Sequence, residues 1–401
     1  MTTPSTPTDL IHHPYQAPEG FLAPQMPIYQ ASTVIFPSLK ALRERNWRER
    51  DGYTYGLHGT PSSFTLESRL ASLEGGLHCT LTPSGLSAIA HVNFALLSQG
   101  DEVLLPNNAY GPSLALAKGE LAQFGITHQI YNPLDPLSLK SKLNARTRLV
   151  WLEAAGSVTM EFPDLRALTA LCQAHGVLSA LDNTWGAGLA FNPFDCGVDV
   201  SVHALTKYPS GGGDVLMGSI VTRDDVLALQ IKLSHMRMGT GVAAHDVAAI
   251  LKGLQSMSLR YVHQDQSARA VAAFLKTQAE VVQLLHPAFE GSPGHAHWQT
   301  HCVSDTHPEG LAAGIFSVVF RPEIESARVD AFCEGLKLFK LGYSWGGPMS
   351  LVVPYEMASI RGEQPAHLLP GHLVRFCIGL EDPQDLIEDL QQALQALHHG
   401  R

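Results

Sequence analysis

Between residues 102 and 203, short apolar runs alternate with stretches in which apolar residues recur every three or four positions. The short runs predict buried strands, and the longer spacing predicts helices packed against them. Because the two patterns alternate, the strands are expected to run parallel and to be joined by crossover helices, which defines a doubly wound α/β sheet. We predict strands at 102–106, 126–131, 148–153, 177–182 and 199–203, and helices at 112–124 and 164–175.

The segments on either side of this pattern predict an arm before the sheet and a smaller domain after it. The first sixty or so residues are rich in Pro, Thr, His and Tyr and contain no long periodic element. Thr60 and Pro61 then match the N-cap and first position of a helix. The later part of the chain has a mixed α+β pattern, with a strand at 314–320 and helices at 326–336 and 385–397. We therefore divide the chain into an N-terminal arm (1–59), a large domain (60–255) and a small C-terminal domain (256–401).

The composition makes several partners and locations unexpected. With 45% hydrophobic and 16% charged residues, the chain has the content of an ordinary folded protein. The net charge of -10, without a cluster of Lys and Arg, argues against nucleic acid as a partner. Residues 1–7 do not resemble a signal peptide, and no uncharged run is long enough to cross a bilayer. We therefore expect a cytoplasmic protein without membrane contact that acts on small molecules.

Two charged residues follow predicted strands, at the edge where doubly wound sheets bind ligands. Asp182 ends the strand 177–182, and Lys207 lies between the strand 199–203 and a run of three glycines. A pyridoxal-5'-phosphate (PLP) site needs a lysine for the Schiff base and an acid at the pyridine nitrogen. The two residues therefore form the candidate core of a PLP site, although taken singly they also fit a solvated lysine and an Asx-turn.

The phosphate of such a cofactor needs hydrogen-bond donors, and Ser84, Gly85 and Leu86 precede a helical pattern that can provide them. Free amides and the helix dipole make a helix N-terminus suitable for phosphate. Tyr110 is a candidate to stack on the cofactor ring. Arg375 lies in an apolar, strand-like run, where a guanidinium is unexpected unless a carboxylate binds it. A capped helix, a Tyr packed on its own domain and an edge-strand Arg are the structural alternatives.

Taken together, these segments resemble the Cys/Met-metabolism family of PLP-dependent enzymes and, within it, the bacterial cystathionine β-lyases. The resemblance extends from about residue 29 to the C-terminus. It is carried in order by Tyr55-Gly56, Gly59-Thr60, Leu73-Glu74-Gly75-Gly76, Ser84-Gly85, Asn108-Ala109-Tyr110, Pro112-Ser113, Asp182-Asn183-Thr184-Trp185, Thr206-Lys207-Tyr208, Tyr343-Ser344-Trp345-Gly346-Gly347 and Gly379-Leu380-Glu381-Asp382.

The resemblance implies the aspartate aminotransferase fold and a role for each candidate. Lys207 would carry the Schiff base and act as the base, Asp182 would pair with the pyridine nitrogen, and Arg375 would bind the α-carboxylate of the substrate. The remaining residues fall into two sets. Those implied to contact the cofactor are Ser84, Gly85, Leu86, Tyr110, Thr184, Thr206 and, from a neighbouring subunit, Tyr55. Those implied to contact the substrate are Tyr110, Ser344, Trp345 and His58. Tyr110 and Tyr55 would also take part in catalysis, within a homotetramer built from two dimers.

The chain departs from the family pattern at Leu57 and His58, where the β-lyases it resembles have arginines. Leu57 removes an expected phosphate ligand, and His58 replaces a cation expected near the distal end of cystathionine. Smaller departures around the lysine are Leu205, Pro209 and Gly212. The substrate is therefore expected to be small or uncharged at its distal end.

The implied reaction is α,β-elimination of L-cystathionine or a related sulfur amino acid to a thiol, pyruvate and ammonia. Alternatives are γ-elimination or γ-replacement on a homoserine-type or canavanine-like substrate, racemisation, and a non-catalytic PLP-binding or partner-binding protein. His295, His297 and His301 are close enough in sequence to suggest a metal site, but Pro293 and Gly294 favour a surface loop, so we expect no metal.

Overall fold

The computed structural model describes residues 25–48, 52–357 and 365–398, together with residues 8, 10, 11, 19, 20 and 23. Its larger sheet has seven strands in the order β1-β7-β6-β5-β4-β2-β3. From β6 to β3 all neighbouring strands are parallel, whereas β7 is antiparallel to both β6 and β1. The strands are β1 (His78–Thr82), β2 (Glu102–Pro106), β3 (Thr127–Tyr131), β4 (Thr147–Glu153), β5 (Leu178–Asp182), β6 (Val200–Ala204) and β7 (Gly218–Thr222).

The parallel part of this sheet confirms the predicted doubly wound α/β architecture. All five predicted strands form, within one residue of their predicted ends. Strand β7 was not predicted, and it is antiparallel because residues 205–217 contain no helix to return the chain to the opposite edge. Strand β2 is buried along its whole length, as expected for a strand covered on both faces.

Helices cover both faces of the sheet and confirm most of the predicted helical segments. The helix that begins at Pro61 has Thr60 as its N-cap, within a capping box, and ends at Gly75 in the left-handed conformation. The predicted helix 112–124 is irregular, because Gly111–Leu116 is followed by a π-helical turn at Ala117–Leu121. The helices are α1 (Leu39–Glu44), α2 (Pro61–Glu74), α3 (Gly85–Leu96), α4 (Gly111–Leu116), α5 (Pro136–Lys140), α6 (Leu165–Ala174), α7 (Asp225–Met238), α8 (Ala244–Lys276), α9 (His295–Cys302), α10 (Ser326–Gly335) and α11 (Pro383–His398).

A second sheet of five strands follows, in the order β10-β11-β12-β9-β8. Its strands are β8 (Val281–Leu285), β9 (Ile315–Phe320), β10 (Lys340–Leu341), β11 (Leu351–Tyr355) and β12 (His372–Cys377). Helices α10 and α11 pack together and share an apolar core with this sheet. Helix α8 contacts α2 as well as β8 and β9, so it joins the two sheets, and the proposed division between residues 255 and 256 falls within it. Among the described residues, no helix combines the length and the apolar character needed to cross a membrane.

Candidate active site

Lys207 and Asp182 lie at the carboxyl ends of the neighbouring strands β6 and β5, as predicted. The Lys207 Nζ donates a hydrogen bond of 2.7 Å to the Ser344 Oγ. Burial lowers the pKa of the Lys207 amine, which favours the neutral form that a nucleophile or base requires. The Asp182 Oδ1 accepts hydrogen bonds from the Thr184 amide and hydroxyl at 3.0 and 2.6 Å. The Thr184 hydroxyl therefore donates its proton to Asp182, and it also accepts a hydrogen bond from the backbone amide of residue 204.

The electrostatic environment of Asp182 has two opposing parts. Burial raises the pKa of its carboxyl group, while the hydrogen bonds from Thr184 and the nearby His203 and Lys207 lower it. Asp182 thus needs a cationic or hydrogen-bonding partner to remain ionised. A protonated pyridine nitrogen would be such a partner.

Beneath this strand end, sequence reasoning missed a buried hydrogen-bond network around Glu74. The Glu74 carboxylate, at 0% exposure, binds the Asn183 Nδ2 at 2.9 Å, the Ser201 Oγ at 2.7 Å and the His203 Nδ1 at 2.9 Å. Since these partners flank Asp182 in β5 and β6, the network fixes the position of the strand ends that carry the site. The only sequence signal was the Glu in the Leu73-Glu74-Gly75-Gly76 motif.

The three residues predicted to bind the phosphate, Ser84, Gly85 and Leu86, lie at the N-terminus of α3. The Ser84 Oγ caps the helix by accepting from the Ser87 amide at 3.0 Å. Among the described residues, the Gly85 and Leu86 amides have no hydrogen-bond acceptor. A side chain at position 85 would come within 2.5 Å of the Ala204 Cβ, so only glycine lets the helix end approach strand β6 this closely. Free amides at the positive end of a helix are suited to a phosphate.

The Thr206 hydroxyl, also expected at the phosphate, is engaged with the backbone of Met217. It accepts from the Met217 amide at 3.2 Å and lies 3.3 Å from the Met217 carbonyl oxygen. Thr206 therefore lies beside Lys207 as expected, but its hydroxyl proton is directed at the protein chain.

Tyr110 is held next to Asp182 by a residue that the sequence did not single out. The Tyr110 amide donates to the Glu153 Oε2 at 2.7 Å, and Glu153 is aligned with Asp182 across the parallel strands β4 and β5. Burial raises the pKa of the Tyr110 phenol, and the negative charges of Asp182 and Glu153 raise it further. With 43% of its surface exposed, Tyr110 has a free face on which a planar cofactor can stack.

Arg375 lies on β12 of the second sheet and is buried, with 7% of its surface exposed. Its Nε and Nη2 atoms are buried and have no hydrogen-bond partner within the described part of the chain. The guanidinium lies over the Tyr355 ring at 5.2 Å, a contact that the sequence did not reveal. The charge of Arg375 lowers the pKa of both Lys207 and Tyr110, so it acts on the same site. Two aligned, unpartnered nitrogens match a bidentate carboxylate.

Ser344 and Trp345 complete the wall around Lys207, as the resemblance implied. The Lys207 Nζ is 5.8 Å from the centroid of the Trp345 ring, which also packs at 5.6 Å against Tyr208. Ser344 has a φ of 99°, in the left-handed region that residues with a side chain rarely adopt. The loop is thus held in one conformation against the lysine.

Tyr55 and His58 are not brought to Lys207 within one protomer. Residues 56–58 line a separate cavity of about 720 Å³, and Tyr55 packs at 5.9 Å on His58 beside it. Residues of the arm and of α7 and α8 form much of the wall, including Arg48, Leu57, Lys232 and His245. The contact of Tyr55 with the cofactor of a neighbouring subunit, which the resemblance implied, stays a prediction.

The surroundings of His58 in this cavity favour its neutral form. Burial lowers the pKa of its imidazole, and the positive charges of Lys232 and Arg45 lower it further. Its Nδ1 lies 2.8 Å from the Thr54 Oγ1. Leu57 contributes an apolar side chain to the same wall.

The three histidines considered for a metal site point to different partners. The His295 Nδ1 is 2.7 Å from the Pro287 carbonyl oxygen, whereas the His301 Nδ1 is 3.5 Å from the Cys196 Sγ. His297 faces Asp164 at 3.9 Å. Within the described ranges, no three His, Cys, Asp or Glu side chains come together as metal ligands.

A lysine and an acid at neighbouring strand ends, a free helix N-terminus and an arginine from a second domain define a PLP-dependent enzyme of the α/β type. The chain belongs to the Cys/Met metabolism PLP-dependent enzyme family, whose model matches residues 7–395. It is a PLP-dependent lyase similar to the cystathionine β-lyases.

Similar proteins cover nearly the whole chain. The cystathionine β-lyase of Bordetella avium is 37% identical over 95% of this chain and 94% of its own length. The L-methionine γ-lyase of Pseudomonas putida is 32% identical over 98% of both chains. The crystal structure of cystathionine γ-synthase from Xanthomonas oryzae pv. oryzae, in complex with aminoacrylate and cysteine, aligns with a TM-score of 0.88 at 28% identity over 99% of both chains. The similar proteins therefore include a β-lyase, a γ-lyase and a γ-synthase of sulfur amino acids.

Proposed function

We propose that this protein catalyses α,β-elimination of L-cystathionine or related β-substituted sulfur amino acids, releasing a thiol, pyruvate and ammonia. The observation that carries the proposal is the pair of buried, unpartnered guanidinium nitrogens of Arg375 facing the same site as Lys207. Buried donors without a partner are costly, and the α-carboxylate of an amino acid would satisfy both nitrogens at once. Similarity to cystathionine β-lyases and the Tyr343-Ser344-Trp345 segment support β- over γ-elimination.

The residues of the site fit the cofactor. The free Gly85 and Leu86 amides would hold the phosphate, Asp182 the pyridine nitrogen, and the Tyr110 ring one face. Lys207 would hold the cofactor through its amine. When bound, PLP takes up the electron pair left at Cα when the substrate loses its proton.

The chain's own side chains then divide the work on the substrate. Arg375 orients the α-carboxylate, and Ser344 holds the Lys207 Nζ in place. Lys207 is the base that accepts the Cα proton, and its lowered pKa suits that task near neutral pH. The Trp345 ring shields the amine from water. The thiol then leaves from Cβ.

We further propose that the active unit is a dimer of this chain, with two dimers forming a tetramer. Tyr55 is 46% exposed, and the cavity beside it lies apart from Lys207 in the same protomer. Large apolar side chains of the arm are also exposed, among them Ile35 at 90% and Leu39 at 66%. A neighbouring copy of the chain would cover these apolar side chains, and Tyr55 would then lie at the cofactor phosphate of that copy.

Product analysis tests the proposed reaction. The purified protein with PLP is incubated with L-cystathionine, L-cystine, L-methionine and an O-acylhomoserine, and the keto acids released are identified. Pyruvate from the first two substrates supports β-elimination. Predominant 2-oxobutyrate would instead assign the γ-acting alternative, which the absence of an arginine at Leu57 and His58 favours. Absence of turnover with all four would refute the proposal.

A further inference from the structure

Cys377 contacts Ser344 beside Lys207 but takes no part in the proposed reaction. It follows Arg375 by two residues on β12, so the two side chains point to the same face of the second sheet. It is buried, with 2% of its surface exposed, and its charge state affects the pKa of Lys207. Its thiol donates to the Ser344 carbonyl oxygen at 3.2 Å.

Ser344 is the residue that this contact acts on. Its φ of 99° is disfavoured for a residue with a side chain, so its backbone needs an external partner to stay in this conformation. Among the described residues, the Cys377 thiol is the hydrogen-bond partner found for the Ser344 backbone. Burial raises the pKa of Cys377, so the thiol keeps the proton that it donates.

Other parts of the loop have their own contacts, including the packing of Trp345 against Tyr208, but none of these binds the Ser344 carbonyl within the described residues. The Gln264 Nε2 donates to the Gly347 and Ile378 carbonyl oxygens at 2.8 and 3.1 Å. The Ser350 amide donates to the Glu381 carboxylate at 2.7 Å. These bonds hold the loop from residue 347 onward, whereas Ser344 lies on its other side, against Lys207.

We propose that Cys377 is a positioning residue: its thiol holds the Ser344 carbonyl, and the Ser344 hydroxyl in turn holds the Lys207 amine where it takes the Cα proton. The proposal rests on the role given to Lys207 above. It extends the site from the cofactor lysine through the loop to the second sheet. Because Arg375 lies on the same strand, β12 positions both the substrate carboxylate and the base that acts beside it.

The test compares the holoenzymes of Cys377→Val, which has no donor, and Cys377→Ser, which keeps one. We expect Cys377→Val to lower kcat about five- to tenfold while KM stays within about twofold, because the hydrogen bond to the Ser344 carbonyl is lost while the Arg375 side chain that binds the carboxylate is unchanged. The kinetic isotope effect with Cα-deuterated substrate should rise, and the pH midpoint of the visible cofactor band should shift. Cys377→Ser should recover most of these changes.

A double-mutant cycle with Ser344→Ala distinguishes this role from a general packing role. If Cys377 acts through the Ser344 hydroxyl, Cys377→Val should change kcat less than about twofold in the Ser344→Ala background. The proposal would be overturned if the two substitutions lowered kcat independently, so that the double variant showed the product of the two single losses. It would also be overturned if Cys377→Val had the same kcat as wild type. If Cys377→Val unfolds early, Cys377→Ala takes its place. Persistence of the visible band in Lys207→Ala would refute the role of Lys207 instead.

Discussion

Replacing Arg375 with methionine should increase the stability of the substrate-free protein and nearly abolish its catalysis. In the folded chain the guanidinium is buried, and two of its nitrogens have no hydrogen-bond partner within the described residues. Methionine has a similar length and no polar group that needs a partner. The substitution therefore removes two hydrogen-bond donors that the substrate carboxylate would pair with and that have no acceptor in the substrate-free protein, as far as its described residues show.

The expected changes in the free energy of unfolding and in kcat/KM both come from the loss of the two unpartnered donors of Arg375. A buried donor without a partner costs about 1–3 kcal/mol, and the contact with the Tyr355 ring returns about 1 kcal/mol. Removing both donors should therefore raise the free energy of unfolding by about 1–5 kcal/mol. Two charge-assisted hydrogen bonds to the carboxylate contribute about 1.5–3 kcal/mol each, so kcat/KM should fall about 10²- to 10⁴-fold.

Both quantities are measured on one preparation, stability by urea unfolding without substrate and catalysis by keto-acid release. Arg269→Met is the matched control, because Arg269 binds the Asp265 carboxylate at 2.7 and 3.0 Å. Removing that arginine leaves a buried carboxylate unpaired and should lower stability. If Arg375→Met were as destabilising as Arg269→Met, or kept its catalytic efficiency, the reasoning about the unpartnered nitrogens would be wrong.

Four further predictions concern other parts of the chain. Lys207→Ala should lose turnover and the visible cofactor band, and a spectrum after dialysis checks this. Burial lowers the pKa of His286 to about 3, below its unfolded value near 6.5. Stability should therefore fall as the pH drops below 6.5, by about 2 kcal/mol at pH 5. Asparagine does not titrate in this range, so His286→Asn should remove that loss. Urea unfolding of both proteins at pH 7 and pH 5 measures the difference. Leu57→Arg should tighten PLP binding about tenfold or more in fluorescence titrations of the apoenzyme. Because the surroundings of His58 lower its pKa and it lacks the fixed charge of an arginine, small uncharged substrates should be preferred to cystathionine, and His58→Arg should reverse this. A wild-type preference for cystathionine at every pH would contradict this expectation.

The sequence by itself determined the large sheet and the part of the site built on it. Apolar runs and helical spacing are local signals, and they located five strands because each buried strand carries its own pattern. Asp182 and Lys207 could be found for the same reason, since parallel strands deliver their carboxyl ends to one edge. Resemblance of motifs then identified the cofactor and predicted roles for these residues.

Only the tertiary structure decided what these residues meet. Cys377 is connected to Lys207 through Ser344, in a loop whose conformation no local pattern encodes. Arg375 acts on the same lysine from the second sheet through its charge. Glu74 and Glu153 hydrogen-bond to residues far away in sequence, so their contribution to the site is visible only in the fold. Such contacts depend on how separately specified elements pack, and packing is a property of the whole chain. For that reason the sequence indicated which residues could act, and the fold determined which of them act together.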